Sequence, residues 1–128
     1  MIARIWRGVI RAEHAEEYIA YIEATGGGEY KRTPGSRGAW TMSRTDGARA
    51  EIIALSFWDS CEAIEGFAGP DIDRSVLYPQ DQKYLLEPST ITHYQIAPAA
   101  ALPASEGSTR LLHIRQLMLT APGHVNIC

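Results

Sequence analysis

The stretch Glu51 to Gly69, EIIALSFWDSCEAIEGFAG, decides the fold. Its first half reads as a strand, because Ile52, Ile53, Leu55, Phe57 and Trp58 put β-branched and aromatic residues on both faces. Its second half reads as a helix that starts without a linker. Asp59 is the predicted N-cap, and Glu62 stands at the capping-box spacing. Ala63, Ile64 and Phe67 form a short apolar stripe, and Gly69-Pro70 is a stop signal. Trp58 is therefore expected at the carboxyl end of a strand, where a large aromatic either packs in the core or lines a pocket.

Upstream, Asp46-Gly47 marks a tight hairpin between a strand from about Arg37 to Arg44 and its partner, Ala48 to Trp58. Pro34-Gly35 signals a turn within the linker Glu29 to Gly38. Before it, Ala12 to Thr25 has helical periodicity, with Ala15, Tyr18, Ile19 and Ile22 on one face. Gly26-Gly27-Gly28 is expected to end that helix. Ile2 to Ile10 alternates as a strand: Ala3, Ile5 and Val9 read as the core face, while Ile2, Arg4, Trp6 and Gly8 form a mixed face. A mixed face of that kind suits a half-exposed surface, an interface or a cavity wall. Downstream, Pro70 to Ser89 is long for a structureless connection, so short helical turns and closure over a site are expected. Thr90 to Ile96 reads as the last strand, with Ile91, His93 and Gln95 on one face.

The order β-α-β-β-α-β is the split βαβ arrangement of an α+β, ferredoxin-like domain with an antiparallel sheet. Both helices then lie on one sheet face. With Ile2, Trp6, Ile52, Trp58 and Ile91 assigned to the other face, too much apolar area would be left in water. A second copy of the chain is the simplest cover, which predicts a homodimer.

The 128-residue chain divides into residues 1–96, the ferredoxin-like domain, and residues 97–128, a linker and arm whose structure the sequence leaves open. The tail carries an apolar run from Leu111 to Leu119, with His113 and His124 not read as metal ligands. Composition is that of a soluble globular domain, at 45% hydrophobic and 21% charged. A net charge of −3 without basic runs points away from nucleic acid. No segment is apolar and long enough to span a membrane, and the N-terminus lacks a signal-peptide pattern. Cys61 and Cys128 have no CxxC spacing, so neither a disulfide framework nor a zinc site is expected, and a cytoplasmic location follows by default.

MIARIWRG at the start, TPGSRGAW before the hairpin, LSFWDSCEAIEGFAG, the Tyr78-Pro79 segment and ITHYQI together resemble the antibiotic biosynthesis monooxygenase family. The resemblance covers roughly residues 1–96. It implies a dimeric α+β barrel. It is compatible with oxygenases that act on aromatic polyketides without metal or flavin, with haem-degrading enzymes and with other roles, because one fold carries several chemistries. The haem-degrading branch places an asparagine in the first strand, a tryptophan late in the second helix and a histidine just after it. Here those places hold Trp6 and Arg7, Phe67, and Ser75 to Tyr78, and an axial imidazole is missing.

A cofactor-independent oxygenase needs a dry aromatic pocket, a proton acceptor, and a donor for the growing anion. The candidates are His93 as base, Arg4 as cationic donor, Tyr78 as a hydrogen-bond donor in the closing segment, and Trp6 and Trp58 as substrate-binding walls. Each also has a plain reading: a hydrogen-bonded strand histidine, an interface or ion-pair arginine, a lid anchor, core aromatics. The expected partner is a small hydrophobic or aromatic molecule, with no metal and no cofactor. The opposing reading is a dimer that binds such a molecule without turnover.

Overall fold

In the computed structural model, which describes residues 1–97 and 127–128, four antiparallel strands form one sheet in the order β2-β3-β1-β4. Strand β1 spans Ile2–Arg11, followed by a single 3-10 turn and helix α1, Ala15–Ala24. Helix α2 is Gly26–Arg32, β2 is Ser36–Asp46, β3 is Arg49–Trp58 and α3 is Cys61–Ala68. The short helix α4, Asp81–Tyr84, lies in the predicted irregular stretch, and β4 is Thr90–Gln95. The topology is the ferredoxin-like arrangement expected from the element order. The hairpin loop is Gly47-Ala48, one residue later than the dipeptide that signals it. Gly47 takes φ 63 at the first loop position, the place a type II′ turn reserves for glycine.

The grouping of residues by face holds, but the assignment of the faces is reversed. Register pairs Ile2 with Trp58, Arg4 with Ser56 and Trp6 with Ala54 across β1 and β3. This set is buried under the helices. One cluster joins Trp6, Ile10 and Ile52 to Tyr18 of α1 and Tyr84 of α4. A second joins Ile2 and Trp58 to Tyr30 of α2 and Ile64 of α3. The open face instead carries Ile5, Ile53, Leu55 and Phe57, flanked by the exposed side chains of Trp40, Met42 and Tyr94. Both faces are apolar, so alternation alone does not say which one the helices take.

Three local expectations also change. The three glycines open α2 instead of ending α1, although glycine is a poor helix former. The chain kinks at Thr25, and Tyr30 holds α2 down by packing against Phe67 and Trp58 with ring centroids 4.6 and 5.9 Å away. The cap of α3 is Ser60, whose Oγ accepts from the Ala63 N–H at 3.1 Å. Asp59 pairs with Arg37 instead, at 2.6 Å. Finally, Cys61 and Cys128 form a disulfide with Cα atoms 5.7 Å apart, contrary to the expectation of two unpaired thiols. The default to a reducing compartment loses its support with them. The apolar run of residues 111–119, with His113 and His124, lies outside the described residues.

Candidate functional site

The site is a crevice between the helix-covered sheet face and the elements above it. Its floor is β1, β3 and β4, through Arg4, Trp6, Ala54 and Ile91. Its walls are Tyr18 and Ile22 of α1, Tyr30 of α2, Phe67 of α3, and Val76, Tyr78 and Asp81 of the segment before β4. The space between the walls is about 450 Å³ with the open mouth included, whereas the part open to the centre of a water molecule is about 40 Å³. A few waters fill such a space, so a ring system enters only if the Tyr78 segment gives way.

Arg4 is 1% exposed and makes no ion pair among the described residues. Its guanidinium donates to the Ile72 carbonyl at 2.6 Å, the Arg74 carbonyl at 3.3 Å and His93 Nε2 at 2.9 Å. Its Cζ lies 5.9 Å from the centre of the Phe67 ring. Burial pulls the Arg4 pKa down from its ordinary value, with partial compensation from Tyr30 and Asp73. A cation held by neutral acceptors in a dry place attracts a further acceptor, and an anionic one most strongly.

His93 does not line this crevice. It faces a neighbouring depression with Ile72, Asp73 and Tyr94. Arginine has donors only, so His93 Nε2 is the acceptor and Nδ1 carries the proton, 3.4 Å from Asp73 Oδ1. Burial and then the Arg4 charge hold its pKa below the usual histidine range, against the opposing pull of Asp73. The lone pair that would make it a base is already directed at Arg4.

Trp6 lines the crevice, and its indole N–H is buried with no hydrogen-bond partner among the described residues. Trp58 does not reach the crevice. It is fully buried, with its N–H on Ser56 Oγ at 2.9 Å. Tyr78 is on the crevice, and its phenol pKa is pushed up to about 12, first by burial and then by nearby acidic groups. Of the five residues singled out in the sequence, Arg4, Trp6 and Tyr78 converge on the crevice, His93 supports Arg4 from behind, and Trp58 is core.

The sequence reading missed Tyr18, Tyr30 and Asp81. The Tyr18 hydroxyl donates to Asp81 Oδ1 at 2.7 Å, and the Tyr78 backbone N–H donates to Asp81 Oδ2 at 2.6 Å. Burial and that carboxylate drive the Tyr18 pKa upward, so it stays a phenol. Tyr21 accepts from the Gln80 N–H at 3.0 Å, and Tyr84 donates to Glu17. Residues 78–84 are thus laid along α1 by polar contacts and by the packing of Tyr84 against Tyr18, ring centroids 4.8 Å apart.

No protein-family profile matches the chain, and no curated protein matches its sequence. Solved structures do. A monooxygenase from the ActVA-Orf6 gene of Streptomyces coelicolor, in complex with nanaomycin D, superposes with TM-score 0.58 at 15% identity. The match covers 80% of this chain and 92% of that one. Rv0793 from Mycobacterium tuberculosis gives TM-score 0.55 at 18% identity, over 78% of this chain and 98% of that one. A point variant of MhuD with two manganese protoporphyrin IX molecules per active site gives TM-score 0.54 at 16% identity, over 84% of this chain and all of that one. At such identities the likeness establishes the fold. It is a ferredoxin-like fold, shared also with a putative antibiotic biosynthesis monooxygenase from Nitrosomonas europaea, TM-score 0.54 at 12% identity over 74% of this chain and 97% of that one, in agreement with the fold that the resemblance implies. Among the described residues no helix is long and apolar enough to cross a membrane.

Proposed function

We propose that the chain is a cofactor-independent monooxygenase-like protein acting on a small aromatic or polyketide-type substrate, and that it works as a homodimer. The observation that carries the reading is Arg4: a buried guanidinium without a carboxylate partner among the described residues, on the floor of a crevice walled by aromatic rings. A phenol or anthrone bound there places its oxygen toward Arg4 and the Trp6 N–H. Both donors stabilise the negative charge that grows on that oxygen as the substrate's proton passes to water at the mouth of the crevice. The resulting carbanion reduces oxygen directly. The likeness to a monooxygenase solved with nanaomycin D supports the class of ligand. Dimerisation is supported by the open sheet face, where Ile5, Ile53, Leu55, Phe57 and Trp40 form an apolar surface of the kind a second copy covers.

A second reading, ligand binding without turnover, is favoured by the engaged Nε2 of His93, which leaves the expected base without a free lone pair toward the crevice. Oxygen uptake with anthrone separates the two. The first reading predicts one O2 consumed per anthrone oxidised to anthraquinone, with one oxygen atom retained in the product and the other released as water. Binding of anthrone without oxygen uptake contradicts it and leaves the binding protein.

A further inference from the structure

Asp81 ties the segment before β4 to α1, and those contacts do not use all of its acceptor capacity. It is the only carboxylate among the described residues lining the crevice, as Arg4 is the only cation among them. It is 5% exposed and belongs to none of the ion pairs among the described residues. Its two oxygens offer about four acceptor positions. Two are taken, by the Tyr18 hydroxyl and the Tyr78 N–H. A buried carboxylate with two donors is under-served, since each further donor lowers the cost of keeping it from water. The crevice therefore holds a donor-only group and an acceptor-only group, and a hydroxyl, which both donates and accepts, can serve either.

We propose that Asp81 selects hydroxyl-bearing rings: its carboxylate accepts a hydrogen bond from a ligand O–H inside the crevice, while the Tyr78 backbone N–H holds the carboxylate in position. The proposal deepens the ligand-binding reading of the crevice and does not depend on turnover. It assigns recognition to a residue on α4, so binding of the hydroxyl adds a contact between the ring and the segment of residues 78–84. His93 has no part in it.

The test compares 2-naphthol with 2-methoxynaphthalene by titration calorimetry. The two rings are alike, and only the first can donate. A hydrogen bond to a charged acceptor is worth roughly a tenfold or greater preference for the naphthol. The wild-type chain is expected to show that preference, and Asp81→Asn, matched by circular dichroism, to reduce it to about twofold. Tyr18→Phe frees an acceptor position on Asp81 without touching the carboxylate, so it is expected to keep or increase the preference. Should Asp81→Asn fail to fold, that variant decides the matter. An equal affinity of the wild type for both rings, an unchanged preference in Asp81→Asn, or a lost preference in Tyr18→Phe overturns the proposal. No binding of either ring by the folded wild type overturns it together with the ligand reading. A preference that follows Asp81 without oxygen uptake leaves it standing and removes only the oxygenase reading.

Discussion

Replacing Arg4 by methionine isolates the group on which the site is built. The side chain keeps an unbranched apolar stem but is shorter and loses every donor. Three acceptors lose a partner: the Ile72 carbonyl at 2.6 Å, His93 Nε2 at 2.9 Å and the Arg74 carbonyl at 3.3 Å. The first is buried and costs about 1–3 kcal/mol when left unpaired. The histidine adds about 1 kcal/mol, and the part-buried Arg74 carbonyl little, because water reaches it. Against this, removing a buried cation relieves desolvation. The balance is a loss of about 2–3 kcal/mol. For a domain of this size that lowers Tm by about 8–20 °C. Urea denaturation measures the loss, and native-state hydrogen exchange locates it: amides around Ile72 to Arg74 should lose protection before those of the sheet. Arg4→Lys keeps the charge but lacks the planar fork, so it should fall between methionine and wild type. An Arg4→Met chain within about 0.5 kcal/mol of wild type, with residues 72–74 still protected, would refute the claim that this guanidinium organises the floor of the crevice.

Three other perturbations follow from the same contacts. Because the His93 pKa is depressed in the folded chain, the unfolded chain binds the proton first as pH falls below about 6.5. Stability should therefore decline from pH 7 downward until the folded pKa is passed, and His93→Gln should flatten that part of the profile; a profile the substitution leaves unchanged contradicts the placement of His93 against Arg4. Trp40, 56% exposed on the open sheet face, is a suitable place to break a dimer: light scattering should show Trp40→Asp as a folded monomer and the wild type as a dimer, and a monomeric wild type would remove the shared-face argument. Cys128→Ser opens a loop of sequence separation 67 and should cost about 2–4 kcal/mol in urea denaturation, matched by reductant acting on the wild type. Equal midpoints with and without reductant would show that the pairing does not constrain the chain.

The strands were legible because their alternation is strong and the Asp46-Gly47 signal fixes the hairpin between β2 and β3. The partition of β1 was legible too: Arg4 and Trp6 fall on one face with Ile52 and Trp58 of β3 in structure as in sequence. Which face the helices cover was not. A chain that buries one face under helices and keeps an apolar face besides has no polar side to mark the outside, so Ile5, Leu55 and Phe57 read like core. Helix α2 was hidden because its support is long-range, from Tyr30 to Trp58 and Phe67, while its local sequence argues against it. Half of the crevice was hidden for the same reason. Tyr18 looked like one more member of an amphipathic stripe, and Asp81 like a polar residue in a loop. Their pairing spans 63 positions and leaves no local trace. Arg4, Trp6 and Tyr78 were visible because cationic and aromatic residues in otherwise apolar or closing segments are conspicuous without a structure.

The central claim is that a small aromatic ligand binds on the helix-covered face, between Trp6 and Arg4, and not on the open face. The three tryptophans sit in three different places: Trp6 on the crevice, Trp58 in the core and Trp40 on the open face. Their indole N–H resonances can be followed separately in a titration with 2-naphthol. The account predicts that the Trp6 signal moves most, since its unpartnered N–H gains an acceptor, while Trp40 stays in place. A titration in which Trp40 moves and Trp6 does not, or in which neither moves, would contradict it.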